Sequence, residues 1–311
     1  MPDRIPLLFN PRSGRGQKDP DALLSRLALP FRERLEALPL GPPWDFEEAI
    51  GRARAAGGPL LVWGGDGTIH HAARALLKAG CPVPLGAVPG GSGNGLARGL
   101  RTPLEPHGAV QRLLEGREFR MDVGLLDGEP FFNLCGTGFE AQVARAFESG
   151  EGRGFLGYAR DCLNLWRTTT DFLVTWSPEF PSEAEPLPPR RAPSLQRFPS
   201  SAWSLCLANL PQYGSGLWIA PGANPTDGLL QWAVLDRPGA FDLLSELPPL
   251  FKEGGHSLLR REGPFPGGRL ETEAALPWHL DGEPVASRDR ADLAVEPRAF
   301  RMQVTGACPW S

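Results

Sequence analysis

Lysine is nearly absent from this chain of 311 residues: only Lys18, Lys78 and Lys252 stand among its 32 basic residues. No Gly-Lys-Ser or Gly-Lys-Thr run occurs, which excludes a Walker A loop and leaves phosphate contacts to arginine and main-chain N–H groups. Cysteine pairs are missing too. Cys81, Cys135, Cys162, Cys206 and Cys308 are odd in number and widely spaced without a CxxC, so neither a zinc pattern nor a disulfide framework is present, and a reducing cytoplasm is the simplest setting. An excess of positive charge is lacking: the formal net charge of −4 argues against broad nucleic-acid binding, which needs a basic footprint. No uncharged apolar run reaches the roughly 18 residues of a spanning helix. Met1-Pro-Asp-Arg leads straight into a strand-like stretch without the apolar h-region of a signal peptide, so a cytoplasmic protein is expected. No G-x-G-x-x-G opens the first helix, which excludes a Rossmann-type dehydrogenase.

What remains is an ordinary globular balance, 41% hydrophobic and 22% charged, in a chain long enough for two domains. Ile5–Phe9 reads as a buried strand running into the turn-rich Asn10-Pro-Arg-Ser-Gly-Arg-Gly. Asp21–Leu29 and Trp44–Ala56 read as helices, the second with Asp45, Glu47 and Glu48 in its first turn. Pro59–Trp63 is an apolar strand that stops at Gly64-Gly-Asp-Gly67, and Thr68–Ala79 carries Ala72, Ala73, Leu76 and Leu77 on one helical face. Strand Val83–Val88, the loop Pro89-Gly-Gly-Ser-Gly-Asn94, the helices Gly95–Leu100 and Gly108–Leu114 and a strand around Phe119–Leu126 follow. Strand, glycine loop and helix in alternation predict a parallel α/β sheet. Beyond a hairpin turn at Asp127-Gly128 come two helix-like stretches, Phe139–Phe147 and Phe155–Trp166. Then come strands at Phe172–Trp176, Trp203–Ala208, Leu229–Leu235, Leu270–Ala274, Trp278–Leu280 and Phe300–Val304. Few crossover helices separate these strands, so an antiparallel β-rich domain is expected from residue 126 onward, after an α/β domain over 1–125. Pro178–Pro199, rich in proline, reads as a loop or insertion.

Gly64-Gly65-Asp66-Gly67-Thr68 stands at the carboxyl end of a strand and opens a helix, the place where open α/β sheets bind ligands. Glycine lets the backbone approach a phosphate, and the helix N-terminus offers N–H groups without intrahelical partners. The plain alternative is a tight βα turn. Pro89-Gly-Gly-Ser-Gly-Asn94 repeats the arrangement one strand later, and two such loops on adjacent strand ends suit a nucleotide phosphate chain. Asp66 is a carboxylate among phosphate-binding groups. It makes sense with a cation or a proton-donating hydroxyl between it and the phosphates, or as a cap on the helix that follows.

Asn10-Pro-x-Ser-Gly, Gly64-Gly-Asp-Gly-Thr and Pro89-Gly-Gly-Ser-Gly-Asn resemble, in order, the nucleotide loops of the diacylglycerol-kinase catalytic-domain family, which includes bacterial lipid kinases and sphingosine kinases. The resemblance continues through Phe132-Asn-Leu-Cys-Gly-Thr-Gly-Phe-Glu-Ala141, Gly154-Phe-Leu-Gly-Tyr158, Ala223-Asn-Pro-Thr-Asp-Gly-Leu229 and His279-Leu-Asp-Gly-Glu-Pro284, nearly the whole chain. It implies an NAD-kinase-like α/β domain for ATP and a β-rich domain for the acceptor, with the active site in the cleft between them and the last strand returning to the first domain. It implies transfer of the γ-phosphate of ATP, with Mg²⁺, to a hydroxyl of a diacylglycerol-like or sphingoid-like lipid. Asn10, Gly64, Gly65, Asp66, Gly67, Thr68, Gly91, Ser92 and Asn94 would bind the nucleotide, and Asp66, Asp281 and Glu283 would be the catalytic carboxylates, with Asp66 and Asp281 the leading candidates for the base and Glu283 the third. Asp281-Gly282 read from its residues alone is equally a hairpin turn. Asp122 matches an acidic position that the family links to the first-loop aspartate. Asn224, Asp227 and the carbonyl of Leu229 match a structural Mg²⁺ site.

The chain departs from the bacterial members at four places, although sphingosine kinases also carry histidine at the position of His70 and resemble the run through Gly95. His70 and His71 follow the first loop, where bacterial members carry Asn-Glu; on residue type alone both read as exposed first-turn residues. Gly95 and Asn224 stand where bacterial lipid kinases carry aspartate, and one carboxylate fewer weakens a hard-cation site. An NAD-kinase-like small-molecule kinase and a nucleotide- or lipid-binding protein without turnover are the alternatives. A lipid acceptor would be met by transient contact at the membrane surface through Phe155–Trp166 or through Pro178–Pro199 with its Arg190, Arg191 and Arg197, and a homodimer is compatible with the sequence.

Overall fold

A computed structural model describes residues 4–11, 19–40, 45–149, 163–178, 198–239 and 241–310. Most of Phe155–Trp166 and of the Pro178–Pro199 insertion, with the surface contacts expected of them, lies outside these residues, as does the Gly154–Tyr158 motif. The chain divides into two compact units: Met1–Asp122 with Gln212–Gly216 and Arg298–Ser311, and Val123–Pro211 with Leu217–Pro297.

The first unit is built on four parallel strands, β1 (Ile5–Phe9), β2 (Leu35–Pro39), β3 (Leu60–Gly64) and β4 (Leu85–Pro89), in the order β2-β1-β3-β4. Every residue of β1, β3 and β4 is buried, which is why they read as unbroken apolar runs: helices cover both faces of a parallel sheet. On one face Leu7, Leu61 and Trp63 pack with Leu23 of α1 (Pro20–Ser25) and with Val110 and Leu113 of the helix Pro106–Leu114. Leu60 and Val62, which point the opposite way, are equally buried. Asp19 starts α1 by accepting the Ala22 N–H at 2.9 Å, with proline in the first helical position. A single turn, α2 (Leu29–Arg32), leads into β2, an edge strand whose only buried residue is Leu35. Its weak apolar content hides it in the sequence. α3 (Glu47–Ala55) is shorter than the expected Trp44–Ala56. α4 (Asp66–Lys78), α5 (Gly95–Gly99) and α6 (Pro106–Leu114) follow, with Glu105 capping α6 through the Gly108 N–H at 2.9 Å.

β5 (Arg117–Leu126) carries the chain into the second unit, where its end pairs with β6 (Glu129–Phe131) through the two-residue turn Asp127-Gly128. Both turn residues have positive φ, +49° and +82°, as the hairpin signal predicts. β7 (Leu134–Gly138) and α7 (Phe139–Ser149) come next, then β8 (Phe172–Ser177), β9 (Ser201–Ala202), β10 (Ser204–Ala208), β11 (Gln212–Gly214), β12 (Leu217–Trp218), β13 (Leu230–Leu235), β14 (Arg260–Phe265), β15 (Gly268–Leu280) and β16 (Glu283–Val304). Within this unit β14-β13-β10-β7-β15 form an antiparallel array, with β8 on β15. Its core gathers Phe131, Leu207, Trp232, Phe265 and Trp278. The expected pair of strands at Leu270–Ala274 and Trp278–Leu280 is one strand, β15, because register shifts between Glu271 and Trp278 absorb the Ala-Ala-Leu-Pro interruption. The fold is thus a parallel α/β unit followed by an antiparallel β-rich one. The end of β16 lies in the first unit, where Met302 pairs in parallel with Leu85 of β4.

Candidate active site

β3 ends at Gly64, where an added Cβ would lie 2.6 Å from the Cβ of Thr68. Only glycine lets the chain turn there from strand to helix so tightly. Gly65 precedes α4 in extended conformation and, as glycine, brings no capping side chain. The first-turn N–H groups of α4 therefore have no intrahelical partner. Thr68 is buried, and its hydroxyl accepts a bond from the Asn10 side chain at 3.3 Å, which joins the loop after β1 to the loop after β3.

The second loop is set by its own asparagine. Asn94 has a left-handed backbone (φ +53°), and its side-chain oxygen accepts the N–H groups of Gly90 at 3.2 Å and Gly91 at 2.9 Å. Its amide donates back to the Gly91 carbonyl at 2.8 Å. Asn94 therefore shapes the loop from within, and two of the N–H groups expected to face phosphate bond to it. Asp66 ties the loops together. One carboxylate oxygen accepts the Asn94 N–H at 2.8 Å and the other the Gly95 N–H at 2.6 Å, so Asp66 caps α5 from across the site. Gly91 closes the approach: a Cβ there would stand 2.7 Å from the Cα of Gly65. Ser92 is exposed at the tip. The sequence reading assigned no role to the segment around β11, yet it clamps this loop. The Ser215 N–H donates to the Gly93 carbonyl at 2.9 Å and its hydroxyl to the Ser92 carbonyl at 3.3 Å, while Arg98 Nε reaches the same Gly93 oxygen at 3.0 Å. The Gly214-Ser-Gly216 cluster was the available signal.

His70 is buried, which corrects the reading of it as an exposed first-turn residue. His71 is half-buried. Burial, then repulsion from His70 and Arg74, hold its pKa below the ordinary histidine value, so at neutral pH it brings no charge to the position where family members carry glutamate. Asp122 is wholly buried and accepts the Arg298 N–H at 2.7 Å.

In the second unit Asp281 and Gly282 make the hairpin between β15 and β16, both with positive φ (+52° and +92°). The turn is also a clamp. The Asp281 carboxylate accepts the N–H groups of Phe132 at 2.9 Å, Asn133 at 2.8 Å and Leu134 at 3.0 Å, filling three of the roughly four acceptor directions of a carboxylate. Glu283 is half-buried opposite Leu280. Asn209, fully buried, donates to the Phe132 carbonyl at 3.0 Å. Beneath the turn lies a buried pair inside the quoted motifs that the sequence reading did not single out: Glu140 and His279, with Oε1 and Nε2 3.6 Å apart. Burial lifts the Glu140 carboxyl above the usual carboxylate range, and His279 draws it part of the way back.

The metal ligands expected at Asn224, Asp227 and Leu229 form interlocked turns. The Asn224 oxygen already accepts the Thr226 N–H at 3.1 Å and hydroxyl at 2.8 Å, and Asp227 accepts the Leu229 N–H at 2.9 Å. One carboxylate, the Leu229 carbonyl and an amide oxygen that already accepts two bonds make a weak set for a divalent cation. Among the described residues no three His, Cys, Asp or Glu gather as metal ligands.

Comparison with known proteins agrees with this architecture. Residues 4–126 match the model of the diacylglycerol kinase catalytic domain, and residues 195–304 match that of the YegS C-terminal NAD kinase beta sandwich-like domain. The "Probable lipid kinase YegS-like" of Pseudomonas aeruginosa (strain UCBPP-PA14) is 31% identical over 268 residues, spanning 85% of this chain and 83% of that protein. The protein of the same name from Chromohalobacter salexigens is 29% identical over 265 residues, 81% and 79% of the two chains. In fold, the chain is similar to the crystal structure of a diacylglycerol kinase from Bacillus anthracis, with a TM-score of 0.69 at 20% identity over 98% of both chains. A catalytic-domain match in the first unit, a C-terminal-domain match and a relative above 30% identity along most of both lengths leave one assignment: the chain belongs to the family of YegS-like lipid kinases built on a diacylglycerol kinase catalytic domain.

Proposed function

We propose that the protein transfers the γ-phosphate of ATP, delivered as its magnesium complex, to a hydroxyl of a diacylglycerol-like or sphingoid-like lipid. The observation that carries the reading is the close approach of Gly65 and Gly91, two loops at adjacent strand ends locked by Asp66, next to the start of a helix whose cap position is glycine. Phosphate oxygens would take the first-turn N–H groups of α4 and the exposed tip at Ser92, with Asn10 and Thr68 fixing the rim. The magnesium ion that arrives with the nucleotide offsets charge on the transferring group.

The proton of the acceptor hydroxyl needs a carboxylate within reach. Asp66 and Asp281 are engaged by two and three main-chain N–H groups, so we assign them to holding the two loops and the acidic turn. Glu283, third in the order expected from the sequence, is half-buried beside the same turn and is assigned the proton on that position. We place the encounter with the lipid at a membrane surface, where such an acceptor resides; among the described residues no helix is long and apolar enough to cross one.

A screen of labelled γ-phosphate transfer from ATP to dispersed diacylglycerol, sphingoid bases and NAD tests the reading. Transfer to a lipid but not to NAD is expected. Glu283→Gln should lower turnover at least about a hundredfold with ATP affinity unchanged, the usual scale of a lost acid–base group. Asp66→Asn should also speed hydrogen exchange at the Asn94 and Gly95 amides. Normal turnover in Glu283→Gln on an identified acceptor would falsify the assignment of the base.

A further inference from the structure

We propose that Glu140 and His279 are positioning residues for phosphoryl transfer: by fixing one ring proton they hold the turn that carries Asp281 and Glu283. Only the kinetic part of this inference rests on the lipid-kinase reading; the proton itself does not.

The Gly282 N–H donates to Nδ1 of His279 at 3.2 Å. A ring nitrogen accepts only when it carries a lone pair, so both the imidazolium and the Nδ1–H tautomer are incompatible with this bond, and the proton must sit on Nε2. Nε2 faces Oε1 of Glu140 at 3.6 Å, a close electrostatic contact rather than a hydrogen bond, and His279 is 0% and Glu140 8% exposed. In the opposite tautomer two N–H groups would meet at Gly282, inside the protein.

The room for this carboxyl is built into the strand. A Cβ on Gly136 would lie 1.6 Å from Oε1, so Glu140, in the first turn of α7, fills the space a side chain on β7 would take. The turn it serves is one that needs holding: Asp281 has a left-handed backbone, which non-glycine residues adopt at a cost, and Gly282 follows it at φ +92°. Three N–H groups of residues 132–134 grip the Asp281 side chain, while His279 grips the Gly282 main chain. The nucleotide loops lie in the other unit and share none of these bonds.

Long-range ¹⁵N–¹H spectra of protein labelled at histidine read the ring directly. The chain has five histidines, and the His279 signal is identified by its loss in His279→Phe. The wild-type ring should show a protonated Nε2 and a bare Nδ1. Glu140→Gln keeps a side-chain oxygen and should keep both the tautomer and kcat within about threefold. Glu140→Leu removes the oxygen that faces Nε2; it should mix the tautomers and lower kcat at least about tenfold, the scale of a misplaced catalytic group, with KM for ATP unchanged. A protonated Nδ1 in the wild type overturns the proposal, as does a Leu variant with wild-type kcat or a Gln variant that loses as much as Leu. Should Glu140→Leu not fold, the wild-type spectrum and the Gln variant still decide it. If the wild type phosphorylates no lipid, the lipid-kinase reading fails, and the tautomer alone judges the proton assignment.

Discussion

Single atoms decide which glycines of the two loops are indispensable. An extra Cβ on Gly91 meets the Cα of Gly65 at 2.7 Å, a backbone atom that cannot rotate aside, whereas one on Gly65 meets Gly91 at an ordinary 3.5 Å. Gly65 also has φ −81°, open to any L-residue. Gly91→Ala is therefore expected to lower both Tm and ATP affinity, the latter at least about tenfold, by prising the loops apart. Gly65→Ala should leave Tm within about 2 °C. Calorimetry of ATP binding and thermal melts separate the two, and equal behaviour would contradict the observed contact. The glycines themselves were legible in the sequence. That one excludes a side chain because of another loop, and that Asp66 caps α5, was not: both depend on distances between residues some 25–30 positions apart.

At the scale of elements, side chains near strand ends fix what the strands alone leave open. Arg301, on the end of β16 in the first unit, holds both oxygens of Glu118 at 2.8 and 2.6 Å, and donates to the carbonyls of Cys81 and Pro82 at 3.1 and 2.8 Å. The link between α4 and β4 thus has its carbonyls satisfied by a residue 219 positions away. Arg301→Gln should cost about 1–3 kcal/mol, the usual penalty for leaving partly buried acceptors without a donor. Arg301→Lys should recover less than half of it, because a lysine cannot fork between a carboxylate and two carbonyls. Denaturant midpoints measure both; an unchanged midpoint in Arg301→Gln would refute the tie. Most elements of the first unit follow from apolar runs and glycine stops. β2 escapes because one buried leucine gives no period to read, and the length of β15 escapes because its bulges look like a stop.

For the whole molecule the titrating groups pull in opposite directions. The hydrogen bond from Arg301 holds Glu118, and that from Arg269 holds Asp292, below their ordinary values of 4.5 and 3.8. A depressed folded pKa gives stability that is present above the unfolded value and lost as pH falls through the folded one. Stability should therefore fall on acidification below about pH 4.5, and the double variant Glu118→Gln, Asp292→Asn should have a shallower acid limb. Both pairs are partly exposed, so each contributes no more than about 1 kcal/mol. Glu140 acts the other way: burial raises its folded pKa, so its protonated form favours the fold, and that contribution fades as pH rises through the raised value. Melting temperatures from pH 3 to 7 test the scheme, and an acid limb unaltered in the double variant would count against it.

Fold class and family are legible in the order of residues alone. Parallel strands buried on both faces must be continuous apolar runs, and loops that bring the backbone close to a ligand or to one another must be glycine; both kinds of constraint are local and are written in residue type. The positions of Asp66, Asp281 and Glu283 were determined in the same way, as carboxylates inside recognisable loops. Only the tertiary structure decided what those carboxylates touch: Asp66 holds the N–H groups of residues 94 and 95, Asp281 those of residues 132–134, and a buried glutamate faces the ring that supports the turn. Hydrogen-bond partners distant in the chain leave no period and no spacing rule behind. A carboxylate that will hold a loop and one that will take a proton are the same letter until folding supplies the donors around them.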